Sequence, residues 1–183
     1  MRIEQAAVSV TRVRIHPCAG ASAPRPLLAP AVAYAHDPVP ATFAEPRVVV
    51  DLMVGDAEPI AIATLRPPPG RYCGATVELG PGWGGGLSGE TFAVRGTYVP
   101  PGGGAPEPFE IRSSAPLETG ITFDAADGTP RVFRAEPGAP APRVLVGLHY
   151  GRWLDGVDFR DPDAAARVEA VERSVLASIH GVM

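Results

Sequence analysis

The residues able to do chemistry are few and lie far apart in the chain. Four histidines stand at positions 16, 36, 149 and 180. His16 ends a Val/Ile-rich run and His149 ends another, so each belongs to a predicted strand, the first and the last. Two imidazoles brought together beside a Met or Cys donor suit Cu(I) or Zn²⁺. A histidine on a strand serves equally as a surface or hydrogen-bonded residue, and no pair here has metal-site spacing in sequence. Asp155, Asp158, Asp161 and Asp163 crowd one short stretch. Carboxylates at alternating loop positions can hold Ca²⁺. Their spacing does not fit an EF-hand loop, and a turn at Asp155-Gly156 with a helix cap at Asp161 accounts for two of them.

Cys18 and Cys73 are the two cysteines. They are expected to form one disulfide tying the first strand to a later one, which implies periplasm, cell surface or medium. Two separate buried thiols, or a thiolate metal site, are the other readings.

Trp83 and Trp153 are the two tryptophans and the candidate ligand-binding aromatics. Trp83 sits in Gly80-Pro81-Gly82-Trp83-Gly84-Gly85, a formal match to G-x-G-x-x-G. No helix follows, no βαβ unit surrounds it, and Pro81 removes a backbone donor that a phosphate would want. The run reads instead as a wide turn that could present Trp83 to a sugar or another ligand. Gly86-Leu87-Ser88-Gly89 lacks the spacing of a nucleophile elbow. No constellation supports catalysis, so the chain is expected not to be an enzyme.

The elements that must position these residues are mostly strands. The chain has 22 prolines and 21 glycines in 183 residues, about twice average usage. That excess excludes a helix bundle and favours short strands joined by turns. Ala6–His16 reads as a strand whose parity slips at Thr11, the mark of a bulge or of a strand buried on both faces. Residues 19–46 form a long loop with one short strand near Val32–Tyr34. Strands follow over Arg47–Val54, Pro59–Leu65 and Arg71–Leu79, with a turn at Gly55-Asp56 and a Pro-Gly turn at Pro68-Pro69-Gly70. Others fall at Glu90–Val99, Glu107–Ser113, Thr119–Phe123, Arg131–Phe133 and Arg143–Tyr150, with a hairpin signal at Asp127-Gly128. In Arg71–Leu79 the set containing Cys73, Ala75, Val77 and Leu79 faces inward.

A C-terminal helix over 161–180 has Asp161 as N-cap, Pro162 at its first position and Gly181 closing it. Its apolar stripe is Val168, Val171, Val175, Leu176 and Ile179. The expected fold is all-β: one domain over 1–183, an antiparallel β-sandwich of about eight or nine strands with one C-terminal helix.

Net charge is −4 and the sequence pI about 5.5. The sixteen basic residues are all Arg, scattered among acids. That pattern excludes a nucleic-acid binder, which carries a basic patch. No apolar run reaches the ~18 residues that a membrane-spanning helix needs. Met1-Arg2-Ile3-Glu4-Gln5 does not open a signal peptide. With the expected disulfide, the expectation is a mature form whose leader has been removed, with a lipid anchor upstream as one possibility; a cytosolic protein with two free thiols is the other reading.

Two stretches carry a resemblance. Val48-Val49-Val50-Asp51-Leu52 followed by Leu65-Arg66-Pro67-Pro68-Pro69-Gly70-Arg71-Tyr72 resembles the strand–strand–Pro-Gly-x-Tyr–strand pattern of secreted bacterial sandwich domains of the DUF4382 and carboxypeptidase-regulatory-like kind. The whole layout resembles, more distantly, periplasmic copper-associated partners of methanobactin systems, sandwiches with a His-based copper site near a Trp. Here His149 stands four residues before Trp153. Both resemblances imply an extracytoplasmic protein that binds rather than catalyses.

The expectation is therefore a secreted or periplasmic binding or structural module, its partner an unknown protein or small ligand. The alternative is a metal-binding protein, copper before calcium. His16 and His149 would be its first ligands, or Asp155 and Asp158 for calcium.

Overall fold

The computed structural model describes residues 1–19, 42–53, 60–125, 128–136, 138 and 144–182. The expected strand at Val32–Tyr34, the turn at Gly55-Asp56, Asp127 and His36 lie outside them.

The chain opens with β1 (Arg2–Pro17), then β2 (Phe43–Ala44) and β3 (Val48–Asp51). Next come β4 (Gly70–Leu79), β5 (Gly82–Gly84), β6 (Leu87–Glu90) and β7 (Phe92–Tyr98). β8 (Glu107–Ser113), β9 (Leu117–Asp124), β10 (Phe133–Ala135) and β11 (Leu145–Leu148) follow. A 3₁₀ turn (Tyr150–Arg152), helix α1 (Ala164–Ser178) and β12 (Ile179–Val182) close the chain. Among the described residues the fold is predominantly β with a single α-helix, near the C-terminus.

β1 organises the sheet. One of its edges takes β3 along Ala7–Val10 and β2 at Val13–Arg14. The other edge takes β4 along its C-terminal half and β7 along its N-terminal half. β4 and β7 thus lie end to end along one strand. The chain leaves that line between them at Ser9, whose carbonyl accepts from Gly80 N at 3.2 Å and whose N–H donates to Thr91 O at 2.9 Å. The excursion between those two residues is the β5–β6 hairpin. β8 and β9 repeat the arrangement on the far side, pairing β7 and β4 respectively. The predicted slip at Thr11 is real, since the β1–β4 register shifts between Val10 and Arg12.

The described strands form one ten-stranded sheet and the two-stranded β5–β6 hairpin. Pairing is antiparallel except at β9–β12, which is parallel; the sheet is mixed where a wholly antiparallel one was expected. Across the core from the sheet lie α1 and the segment carrying Trp153. Val171 and Val175 of α1, Trp153 and Leu154 share one cluster with Val8, Val10, Phe92, Val94, Ile111, Leu117, Ile121 and Phe123. Trp153 is 0% exposed and meets the Phe92 ring edge-on at 5.9 Å.

Several expected elements differ in the structure, and these do so for physical reasons. Residues 60–65, expected as a strand, have no regular structure. Ile62 and Leu65 still pack on the core, so their spacing reports burial without pairing, and the prolines around them withhold ladder donors. The helix starts later than expected because Asp163, not Asp161, caps it, accepting from Ala165 N and Ala166 N. Gly181 is no helix terminator. It lies in β12, between Val146 of β11 and Phe123 of β9. The set expected to face inward on β4 holds for Ala75, Val77 and Leu79, but near the strand's start Tyr72 is buried and Arg71 exposed.

Candidate functional site

The Gly-rich run folds as β5–β6 and lies flat on the outer face of the sheet. Leu87 is buried there against Ala7 and Ala93, with Val49 beside them. Gly82 passes so close to Ser9 that a Cβ would collide with that side chain, which is why a side chain is excluded. Gly84 at the end of β5 and Gly85 and Gly86 in the turn take positive φ, from 57° to 96°, a backbone that glycine adopts without steric cost. Glu90 fastens the hairpin's end. Its carboxylate accepts from Ser88 N and pairs with Arg112 Nη1 of β8 at 3.0 Å. Chiefly through the Ser88 bond, these contacts hold its carboxyl below the usual carboxylate range.

This anchored hairpin presents Trp83, which is 78% exposed. Beside it runs a groove of about 380 Å³ lined by Ser9, Thr11, Arg12, Glu45, Arg47, Glu78, Pro81, Gly82 and Trp83. Arg12 of β1 is pinned between two carboxylates, Glu45 at 2.6 Å and Glu78 at 3.2 Å. Those bonds, Glu45's first, hold its guanidinium protonated still more firmly than usual. Arg47 is exposed and, among the described residues, its guanidinium has no ion-pair partner. It is also the described non-glycine residue with positive φ, 48°. A left-handed backbone is costly for a residue with a Cβ and is found at binding sites more than elsewhere.

The two strand histidines have different neighbours. His16 Nε2 lies 2.6 Å from Thr76 Oγ1 on β4. The ring that His149 touches is His180's: the two stack at 4.6 Å with planes 20° apart. Nearly parallel rings aim their in-plane lone pairs side by side, not at one point between them. His180 lies across Gly147, where a Cβ would run into its ring. Among the described residues no three of His, Cys, Asp and Glu gather as a metal-binding group.

The aspartates have local work. Asp158 Oδ1 accepts from Arg160 N and Asp161 Oδ1 from Asp163 N, each at 2.9 Å. Asp163 caps α1. Asp155 is exposed at a turn whose backbone bond runs from Asp155 N to Arg152 O. Trp153 is core, so its indole offers no surface to a ligand. Cys18 and Cys73 do form a disulfide, with Cα atoms 4.9 Å apart. It joins the end of β1 to β4.

Sequence reasoning missed an aromatic cleft of about 290 Å³ formed by Tyr98, Phe109, Phe159 and Arg167 with neighbours on β8. Phe159 stacks on Tyr98 at 4.7 Å and tilts against Phe109 at 4.9 Å. Tyr98 Oη donates to Glu107 at 2.7 Å, and that bond pushes the phenol's pKa up. Tyr98 and Phe109 lie near each other on the paired strands β7 and β8, where Tyr98 faces Glu107 and Phe109 faces Gly96, but they stand eleven apart in sequence, and Phe159 sits in a loop, so no periodicity signalled the cluster.

Comparison with known protein families, with curated proteins and with solved structures returns no match. No described helix is long and apolar enough to cross a membrane.

Proposed function

We propose that this chain is a non-enzymatic binding module of an extracytoplasmic, oxidising compartment, and that it makes contact through the groove beside Trp83. The observation that carries the reading is Trp83 itself. A large aromatic ring stands 78% exposed on a hairpin whose Leu87 is buried in the sheet. Exposing an indole forfeits its burial free energy, and a ring held on a fixed backbone contacts a partner at small entropic cost. The Cys18–Cys73 disulfide supports the compartment, since such bonds persist where thiols are not kept reduced.

Saturation-transfer NMR against four mixtures tests this: neutral oligosaccharides, acidic oligosaccharides, peptides and nucleotides. At least one mixture is expected to give a signal that disappears with Trp83→Ala. Silence from all four, or signals unchanged by Trp83→Ala, would overturn the reading.

A further inference from the structure

We infer that the Trp83 groove takes a neutral pyranose glycan; this rests on the binding reading above and adds the ligand class. The first ground is charge. The lining residues include two cations, Arg12 and Arg47, and two anions, Glu45 and Glu78, so the charged side chains of the groove cancel. A charged ligand of either sign meets as many like charges as opposite ones, so the lining gives neither sign a net Coulombic advantage over a neutral ligand.

The second ground is hydrogen-bond chemistry. A sugar hydroxyl is a donor and an acceptor at once. Arg12 and its two carboxylates set donors and acceptors side by side in fixed geometry, with N–O distances of 2.6 and 3.2 Å. One hydroxyl of a vicinal pair can accept from the guanidinium while its neighbour donates to a carboxylate. Arg47, which lines the groove on a left-handed backbone, adds donors that no described residue uses. Thr11 closes one end, its Oγ1 donating to Glu78 O at 3.2 Å.

The third ground is the indole. One face of a pyranose is a patch of C–H groups, electropositive toward the negative face of an aromatic ring. A sugar can therefore stack on Trp83 while its rim of hydroxyls reaches Arg12, Glu45, Glu78 and Arg47. A groove of about 380 Å³ lies at the small end of ligand sites, which suits a few rings of a chain rather than a large metabolite.

Affinity electrophoresis of the full chain tests the class. The gels carry neutral polysaccharides (a β-glucan, a xylan, a mannan, a galactan) or acidic ones (alginate, polygalacturonate). Retardation is expected in at least one neutral gel. Trp83→Ala is expected to weaken it at least tenfold and Arg47→Ala severalfold, while the near-ultraviolet dichroism of Trp153 stays unchanged, showing an intact core. Retardation confined to acidic gels, or a Trp83-dependent signal from peptides or nucleotides alone, would overturn the sugar class and leave the groove reading standing. No Trp83-dependent signal with any probe would overturn both. Neutral retardation that survives Trp83→Ala and Arg47→Ala would place any sugar elsewhere and overturn the inference.

Discussion

The indole N–H of Trp153 donates to Ser178 Oγ at 2.9 Å, tying the turn before α1 to the last turn of that helix. Ser178 Oγ in turn donates to Val175 O at 2.7 Å, so a buried polar pair is satisfied inside an apolar layer. Trp153→Ala should cost about 3–5 kcal/mol through the cavity it leaves. Ser178→Ala should cost about 1–3 kcal/mol by stranding a buried N–H. Urea unfolding of both variants gives the order, and equal midpoints would contradict it.

The disulfide joins residues 55 apart in sequence. Closing a loop of that length stabilises the fold by about 4 kcal/mol in the chain-entropy model. Cys18→Ser with Cys73→Ser, or reduction of the native protein, should lower the unfolding free energy by roughly that amount. Denaturant titrations with and without reductant measure it, and an unchanged midpoint would show that the bond constrains nothing.

Glu90 gives the hairpin a pH dependence of known sign. Its carboxyl is held below the usual range by Ser88 and Arg112, so it binds its proton less readily folded than unfolded. Its contribution is complete above the ordinary carboxylate pKa of about 4.3 and fades as pH falls through the lower folded value. Iodide quenching of Trp83 should therefore change between neutral pH and about pH 3, below that ordinary value. Glu90→Gln, which cannot ionise, should remove this acid-dependent step.

Gly147→Ala should displace the His180 ring and break its stack on His149, because the added Cβ would occupy the ring's place. The imidazole carbon-bound proton shifts of both histidines, followed by NMR, should move together toward solvent-exposed values. Shifts identical to the wild type would mean that the ring and the new methyl group share the space after all.

Local signals in the chain foretold local features well. The Thr11 parity slip coincides with a register shift between Val10 and Arg12, the strand expected over Glu107–Ser113 is β8, and the cysteine pair met as expected. Failures came where pairing across the chain decides. Residues 179–182 read as a helix end, yet β9 and β11 draw them into a strand. His149 found His180, not His16, because β11 and β12 are neighbours in space. Trp83 was legible as an exposed ring. The partners that make a groove around it were not, since Arg12, Glu45, Arg47 and Glu78 come from three separate stretches that only the sheet aligns. Trp153 carried the opposite lesson: a Trp among aspartates and glycines looks like surface until α1 is laid over it.

Because β4 and β7 share one edge of β1, the stretch between Gly80 and Thr91 interrupts that edge without setting the register on either side. Its two ends are fastened at a single residue, Ser9. Segments mounted this way can be exchanged, lengthened or redesigned while the scaffold keeps its pairing. The hairpin is thus an insert in that edge, and apart from Leu87 packed on Ala7 and Ala93 and the Glu90–Arg112 pair its sequence is separable from the pairing that holds the sheet.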